Sequence, residues 1–442
     1  MSIATNSIRT FIFRIITGVN GFLIGVATAR LLLPAGKGYY TLIFLIYGIY
    51  ILIFGNLNGA VTYQITRQKR DPKAVFVAAS LYSLGVGLLT ILGFWIYTQI
   101  APRPVPGFFW VVVLFTPLGL ILTNLSGLFQ GLNRIITLNW IGMISGLFQL
   151  LLLSSGFLGL KVTVGVAVAF WGIAQLVTVA GGLWVSRRYW IPPVKQVFEL
   201  KLLKQMLRFG WQLGLVNIVT YLNYRVDMFL VERMVGTEKL GLYSVAVNGA
   251  EILWYTSTAI AVAICAPVGV AAREQAGRIT AKAIRHTLLI NLLLGITLWV
   301  GFEFLLPVIY TKVYLPSLVP FRILLPGVLA YGLAGILSTY FTHQLGKPKI
   351  PLLISVFSMV INIVFCLLLI PRIGMAGGAW ATTISYLIAI GALLLVFMKK
   401  AKISFVKLFS INEDDIADYK QLWENGQKFL AQKLRVGSKW PR

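Results

Sequence analysis

Twelve apolar segments of roughly 20 residues follow one another along the chain, and each is long enough to cross the ~30 Å hydrocarbon layer of a bilayer as an α-helix. Hydrophobic residues make up 58% of the 442 residues, which exceeds what the core of a soluble domain requires. The sequence therefore predicts an all-α integral membrane protein. The predicted spans lie near residues 10–33, 39–63, 74–99, 108–130, 135–158, 162–185, 209–234, 241–266, 285–310, 321–344, 350–370 and 375–398.

The basic residues predict how these spans are oriented. Most Arg and Lys residues fall in alternate connections, for example Arg67 to Lys73, Arg187 to Arg208, Arg273 to Arg285 and the C-terminal tail. The positive-inside rule places these connections and both termini in the cytoplasm. The net charge of +26 then follows from topology, with anionic membrane lipids as expected contacts and nucleic acid excluded as a partner. The other face carries only short loops, of which Pro34 to Gly38, containing Lys37, is one.

A weak internal repeat divides the spans into two sets of six. An offset of 203 residues aligns the following pairs: Asn20 with Asn223, Arg30 with Arg233, Gly38 with Gly241, and Tyr40 with Tyr243. Because six helices per repeat give both halves the same orientation, we predict a pseudo-twofold axis along the membrane normal and a cleft between two lobes. Substrate sites in transporters lie at repeat interfaces of this kind.

The predicted domains follow from this repeat. Residues 1–190 form an N-lobe with spans 1–6, and residues 209–399 form a C-lobe with spans 7–12. The basic amphipathic stretch 191–208 is predicted to be a linker on the cytoplasmic membrane surface. Residues 400–442 are predicted to form a cytoplasmic tail with an amphipathic helix.

The seventh span is unusual because it carries ionisable side chains at membrane depth, where they mark functional pathways or structural ion pairs. At 100° per residue, Arg225 shares a stripe with Asn217 and Tyr221, whereas Asp227 lies with Asn223 on nearly the opposite side. Arg225 and Asp227 therefore cannot pair with each other, and each needs a partner on another helix or in a ligand. Glu251 in the eighth span is a candidate partner for Arg225.

The first lobe contains Arg14 and Arg30 in its membrane segments but no acidic residue, since its only acid is the loop residue Asp71. A guanidinium without an internal partner is suited to bidentate binding of a phosphate. The alternative is that either arginine extends to an interface, and this alternative is favoured for Arg30. In the second lobe, burial would allow Asp227 or Glu251 to carry a proton coupled to transport.

The sequence shows no catalytic constellation: His286 and His343 lack metal-ligand spacing, and there is no glycine-rich phosphate loop and no paired nucleophile and base. No metal and no cofactor is expected, although a proton or sodium gradient could drive transport. The sequence therefore predicts a carrier rather than an enzyme.

Several motifs are recognisable: FELKLLKQMLRFG, LNYRVDMFLV followed by GLYSVA, the GLNR and LGKPK turns, and LLLIPRIGMAGGAWATTIS. Together they resemble the polysaccharide-exporter branch (Wzx-type oligosaccharide flippases) of the multidrug/oligosaccharidyl-lipid/polysaccharide (MOP) superfamily. Gly378 replaces the usual Ala of the last motif, and Trp211 stands where Pro is common.

The resemblance implies a twelve-helix, two-lobed flippase that moves an undecaprenyl-diphosphate-linked oligosaccharide between the leaflets of the bacterial plasma membrane. It implies that the arginines Arg14, Arg225 and Arg30 bind the diphosphate, that Asn217, Tyr221 and Asn223 meet sugars, and that other polysaccharide-assembly proteins are partners. Two alternatives remain open: a multidrug-extrusion transporter of the same superfamily, and a membrane-embedded polysaccharide polymerase or ligase. The absence of acids in the first lobe argues against organic cations, and the short outer loops argue against a polymerase.

Overall fold

The computed structural model describes residues 3–101, 106–189 and 199–410. The side chains of residues 3–12, 14, 15, 135 and 138 lie outside this description, as do the first part of the predicted linker and the tail beyond residue 410.

The described chain is built from α-helices joined by short connections. Each of the twelve predicted spans falls on helical structure in these residues. The α-helices are α1 (Ile3–Phe54), α2 (Leu57–Thr66), α3 (Pro72–Ile100), α4 (Phe108–Gly131), α5 (Ile135–Ser154), α6 (Val164–Val185), α7 (Leu200–Val235), α8 (Thr237–Ala250), α9 (Leu253–Val270), α10 (Arg273–Ile309), α11 (Leu318–Tyr331), α12 (Leu333–Thr339), α13 (Lys349–Ile373), α14 (Met375–Ala401) and α15 (Phe405–Phe409).

Within the described residues, ten helical stretches are long and apolar enough to span a membrane, and the first of them, Ile16–Thr66, contains two predicted spans. The stretch α7 is not among the ten, because its polar and charged residues lower its hydropathy. The eighth span is α8 followed by α9. The tenth consists of α11, α12 and the π-helical turn Tyr340–Gln344.

Local chemistry sets several helix boundaries. Asp71 caps α3 by accepting a hydrogen bond from the backbone N–H of Lys73 at 3.2 Å. Thr163 caps α6 through Val166 N–H at 3.3 Å, and both caps satisfy N–H groups that have no partner inside the helix. At the other ends, Gly236 and Gly374 terminate α7 and α13 with φ angles of 97° and 62°, which only glycine adopts readily.

The prediction of a loop from Pro34 to Gly38 is wrong. The chain changes direction at the single residue Leu33, with φ 58° and ψ 175°, and a helix resumes at Pro34. Lys37 is consequently not a loop residue: its side chain is buried, and its Nζ donates to Thr28 Oγ1 at 2.9 Å. Proline is tolerated in the first turn of a helix, because the N–H that it lacks would have no partner inside the helix there. Pro34 can therefore start the next helix directly, and the connection is a single residue long.

The two lobes have separate apolar cores. One large cluster fills the C-lobe and includes Tyr243, Phe321 and Phe397. Two smaller clusters fill the N-lobe, one around Leu128 and one around Trp171. The C-lobe cluster also takes in two residues of α1, which shows where the lobes meet.

A pseudo-twofold relation between the lobes is visible in reciprocal backbone contacts. An added Cβ on Gly38 would lie 1.7 Å from the carbonyl oxygen of Thr237, and one on Gly241 would lie 1.9 Å from that of Pro34. These pairs exchange places under the 203-residue offset, as a twofold axis between them requires. The repeat predicted from the sequence is therefore present in the fold, and its axis passes between Gly38 and Gly241.

The start of α7 joins the lobes at the end of the bundle that carries most basic loops, which we call the basic end. The helix begins at Leu200, and its Leu202 and Met206 are buried in the N-lobe cluster around Leu128. Tyr63 stacks on Phe209 with ring centroids 4.6 Å apart. The residues from 200 to 208 are thus continuous with the seventh span.

Candidate functional site between the lobes

At the end opposite the basic end, the lobes are held together by contacts from α1. The Arg30 guanidinium donates to the carbonyl oxygen of Ile309 at 2.7 Å and also to that of Val308. These carbonyls belong to the C-terminal end of α10, where unpaired acceptors and the helix dipole favour a cation. Tyr314 donates to the carbonyl oxygen of Ala29 at 2.9 Å. The lobes are closed at this end.

Midway along the helices, two tyrosines of the C-lobe touch glycines of the N-lobe. Tyr221 of α7 donates to the carbonyl oxygen of Leu45 at 3.0 Å, and an added Cβ on Gly48 would lie 2.5 Å from its hydroxyl oxygen. Tyr255 of α9 packs on Gly18 of α1, where an added Cβ would lie 2.7 Å from the tyrosine ring. In this conformation each aromatic side chain occupies space that a side chain on the facing residue would fill.

Arg225 lies between these two contacts and pairs with Glu251. Its Nη1 and Nη2 donate to Oε1 and Oε2 of Glu251 at 2.7 and 3.0 Å, which is a bidentate geometry. The two side chains remain 25% and 18% exposed. Of the two kinds of partner expected for Arg225, another helix or a ligand, the structure shows the first: Glu251, the candidate named above, lies at the C-terminal end of α8.

Asp227, on the other side of α7, is buried inside the C-lobe. Its Oδ2 accepts hydrogen bonds from Tyr243 at 2.6 Å and from Thr382 at 2.8 Å, and its Oδ1 accepts one from the N–H of Met228 at 2.8 Å. Asn362 in turn donates to Thr382 Oγ1 at 3.1 Å. Three neutral donors compensate for the water that the carboxylate loses on burial.

A small cavity adjoins both acids. Its enclosed space of about 10 Å³ is close to the minimum that holds one water molecule, so it suits water or a small ion and not a sugar. Asp227 and Glu251 line it together with aromatic and apolar side chains: Tyr224, Trp254, Tyr386, Val247, Leu324 and Val328, and the hydroxyl-bearing Thr382.

The other predicted site residues fall in different places. Asn217 faces the N-lobe and donates to Asn56 Oδ1 at 2.9 Å. Asn223 is buried in the C-lobe and donates to the hydroxyl of Tyr331 at 2.8 Å. Arg30 lies at the closed end, remote in sequence and depth from Arg225, and the Arg14 side chain is outside the described residues. The structure therefore brings Arg225, Tyr221 and Asn217 to one surface and separates Asn223 and Asp227 from them.

Three residues that contribute to this region were not singled out as site residues from the sequence. Tyr243 was marked only by its alignment with Tyr40, Thr382 only as part of a family-like motif, and Tyr255 not at all. The sequence alone does not show whether a tyrosine in an apolar helix belongs to a functional site. Only the packing of α9 against α1 shows that Tyr255 reaches the other lobe.

Comparison with known proteins identifies the family. The sequence matches the polysaccharide biosynthesis protein family over residues 3–268, which is more than half of the chain, and the MatE family over residues 213–368. Comparison with curated proteins gave no significant match.

Solved structures share the fold at low sequence identity. A multidrug resistance MATE family transporter of the MOP superfamily in an inward-facing conformation aligns with a TM-score of 0.72 and 14% identity, over 88% of this chain and 95% of that one. An outward-facing conformation of such a transporter aligns with a TM-score of 0.64 and 15% identity, over 90% of this chain and 94% of that one. A MOP superfamily transporter from Pyrococcus furiosus is described as having a binding pocket of reverse polarity. It aligns with a TM-score of 0.62 and 15% identity, over 90% of this chain and 94% of that one.

The two family matches and the shared two-lobed fold lead to one assignment. This chain belongs to the polysaccharide biosynthesis protein family, within the MOP superfamily of multi-pass membrane transporters.

Proposed function

We propose that the protein is a flippase, not an enzyme, that moves an oligosaccharide linked to undecaprenyl diphosphate from the inner to the outer leaflet of the bacterial plasma membrane. Transport proceeds by alternating access between the two lobes. The product serves surface polysaccharide biosynthesis, and proteins that assemble this polysaccharide are expected partners.

The charge on the surface between the lobes is the observation that carries this proposal. Residues 1–198 contain Asp71 as their single acid, and it caps a helix in a connection. Arg225 meets this surface from the other lobe with a partly exposed guanidinium. A diphosphate is the part of the substrate that such a surface favours, because guanidinium groups bind phosphate oxygens bidentately. Arg14 is expected to contribute from α1.

The multidrug-extrusion alternative is less well supported by these charges. Organic cations need carboxylates or aromatic faces on the path between the lobes, and the N-lobe offers no membrane-embedded carboxylate. Asp227 faces the interior of its own lobe instead, and Glu251, the carboxylate nearest to the surface between the lobes, is already paired with Arg225. Among the similar structures, the Pyrococcus furiosus transporter is described as having a pocket of reverse polarity. A similar inversion here would serve an anionic lipid.

We further propose that Asp227, with the nearby Glu251, couples transport to a proton or sodium gradient. A cation arriving at Asp227 would change the hydrogen bonds of Tyr243 on α8 and Thr382 on α14, and so the packing of three helices. The expected result is that Asp227→Asn and Glu251→Gln each alter the pH or sodium dependence of transport. Unchanged rate and unchanged pH and sodium dependence in the double amide variant would exclude this coupling.

Reconstitution tests the function directly. Proteoliposomes containing a fluorescent oligosaccharide on undecaprenyl diphosphate are assayed for loss of label from one leaflet, with Arg14→Ala and Arg225→Ala compared with wild type. Arg278→Ala is the matched control, because Arg278 forms an exposed pair with Glu274 on the surface of α10. We expect at least a tenfold loss of flipping in the first two variants and none in the control.

Three outcomes would contradict the proposal. The first is a wild-type protein that does not flip the lipid-linked oligosaccharide but expels an organic cation such as ethidium, which would support drug extrusion. The second is a wild type that lengthens the glycan, which would support a polymerase. The third is full activity of the Arg14 and Arg225 variants.

A further inference from the structure

Glu251 occupies one of the two edges through which the Arg225 guanidinium can bind a phosphate bidentately. A guanidinium has five N–H donors, and bidentate binding uses a pair of them on one edge. Nη1 and Nη2 of Arg225 both donate to Glu251 in this conformation. A diphosphate that approaches the same edge therefore has to displace the carboxylate.

The pair lies where a ligand between the lobes can reach it. Both partners keep part of their surface exposed, at 25% and 18%. Asp227, only two residues from Arg225, is 2% exposed, and the side chains that donate hydrogen bonds to it are neutral. The C-lobe thus buries one acid without a direct ion pair and leaves the other, with its arginine, open to the surface between the lobes.

The pair is also placed between the two tyrosine contacts that join the lobes at this depth. Tyr221 lies one helical turn before Arg225, and Tyr255 lies about one turn after Glu251. Tyr221 and Arg225, four residues apart in α7, share a helix face. Glu251 lies in the turn between α8 and α9, directly before the helix that carries Tyr255. The ion pair therefore links the two helices that contact Gly48 and Gly18 of the N-lobe.

We propose that Glu251 is an internal counter-ion that the substrate diphosphate displaces from Arg225 and that recaptures Arg225 when the substrate leaves. This inference rests on the proposed function and adds a mechanism for it. Without Glu251, the empty carrier would hold an unpaired guanidinium in the membrane, which is unfavourable. With it, Arg225 is neutralised in both states, and the exchange of partner is linked to the contacts between the lobes.

The test measures binding of farnesyl diphosphate, a short polyprenyl diphosphate without sugar, to the purified full-length protein in nanodiscs. Glu251→Gln retains the shape of the side chain and removes its charge, so Arg225 loses its competitor. We expect the affinity to rise about tenfold, and Arg225→Gln to lower it at least tenfold. Glu303→Gln is the matched control, since Glu303 pairs with Arg322 at 2.7 Å on the same lobe but away from this surface.

A gain of affinity cannot come from misfolding, which makes the result specific. Glu251→Asp, which keeps the charge but shortens the side chain, is expected to give a smaller gain. In the flipping assay, Glu251→Gln should lower both KM and kcat, because tighter binding and slow release accompany the loss of the recapturing carboxylate.

The outcomes separate this inference from the proposed function. If Arg225→Gln weakens binding while both Glu251 variants bind like wild type, or weaken it as well, the exchange is refuted and the flippase proposal stands. If neither Arg225→Gln nor Glu251→Gln changes the affinity, the exchange is refuted and Arg225 also loses its role in the proposed function.

Discussion

Alternating access requires the contact between Gly38 and Gly241 to open and close, and Gly38→Ala tests this requirement. The new Cβ would lie 1.7 Å from the carbonyl oxygen of Thr237, whereas 3.4 Å marks an ordinary contact. The backbones must therefore separate by 1.7 Å, the difference between these distances. Because the obstructing atoms belong to the backbone and cannot rotate away, we expect the cost to reach the upper part of the usual range for overpacking, about 3 kcal/mol.

This cost falls only on the conformation in which the lobes are closed at this end. A penalty of about 3 kcal/mol corresponds to a change of about 100-fold in the population ratio. The assay is the rate at which a membrane-impermeant maleimide labels Ala29→Cys, after Cys265 and Cys366 have been replaced by serine. Ala29 is fully buried between the lobes, so labelling reports opening.

Gly25→Ala is the control, because an added Cβ at Gly25 meets no atom within 4 Å. We expect faster labelling and slower flipping for Gly38→Ala, and wild-type behaviour for Gly25→Ala. Equal labelling rates in the two variants would show that the lobes do not meet through these glycines in the membrane.

Three further predictions concern hydrogen bonds. Tyr314→Phe removes the bond to Ala29, worth about 1 kcal/mol, and should raise the Ala29→Cys labelling rate about fivefold; an unchanged rate would contradict it. Arg30→Gln removes the cation from the end of α10 and should raise the same rate by a similar or larger factor, whereas Arg233→Gln, its exposed counterpart in the repeat, should not. Tyr243→Phe removes a donor from the Asp227 carboxylate and should cost about 1.5–3 kcal/mol, against about 0.5–1.5 kcal/mol for Tyr40→Phe, which loses only the bond from neutral Gln149. Thermal unfolding in detergent measures this difference, and equal losses would show that the charge at Asp227 adds nothing.

The fold was largely predictable because membrane insertion imposes a length and an apolar composition on every span. That constraint acts on each segment separately, so periodicity and composition are enough to find it. The connection at Leu33 was missed for the opposite reason. Pro34 and Gly36 resemble a loop in composition, and only the folded backbone, with Leu33 as its single non-helical residue, shows that they continue a helix.

The candidate site was predictable in part. The helical stripe placed Arg225 with Tyr221 and Asn217 and set Asp227 apart, since those angles depend only on helix geometry. It could not show that Tyr221 donates to the N-lobe, or that Asn223 faces Tyr331 within its own lobe. Such contacts depend on where a second helix lies.

The sequence by itself determined the class of protein, the number of spans, the repeat and the residues whose charge requires a partner. Each of these is a property of one helix in a bilayer or of two aligned segments. The tertiary structure decided which partners those residues have: Glu251 for Arg225, hydroxyl groups for Asp227 and the end of α10 for Arg30. The physical reason is that hydrogen bonds and ion pairs act over about 3 Å. Residues on different helices, 26 positions apart for Arg225 and Glu251 and 279 for Arg30 and Ile309, come within that distance only when the helices and the lobes pack.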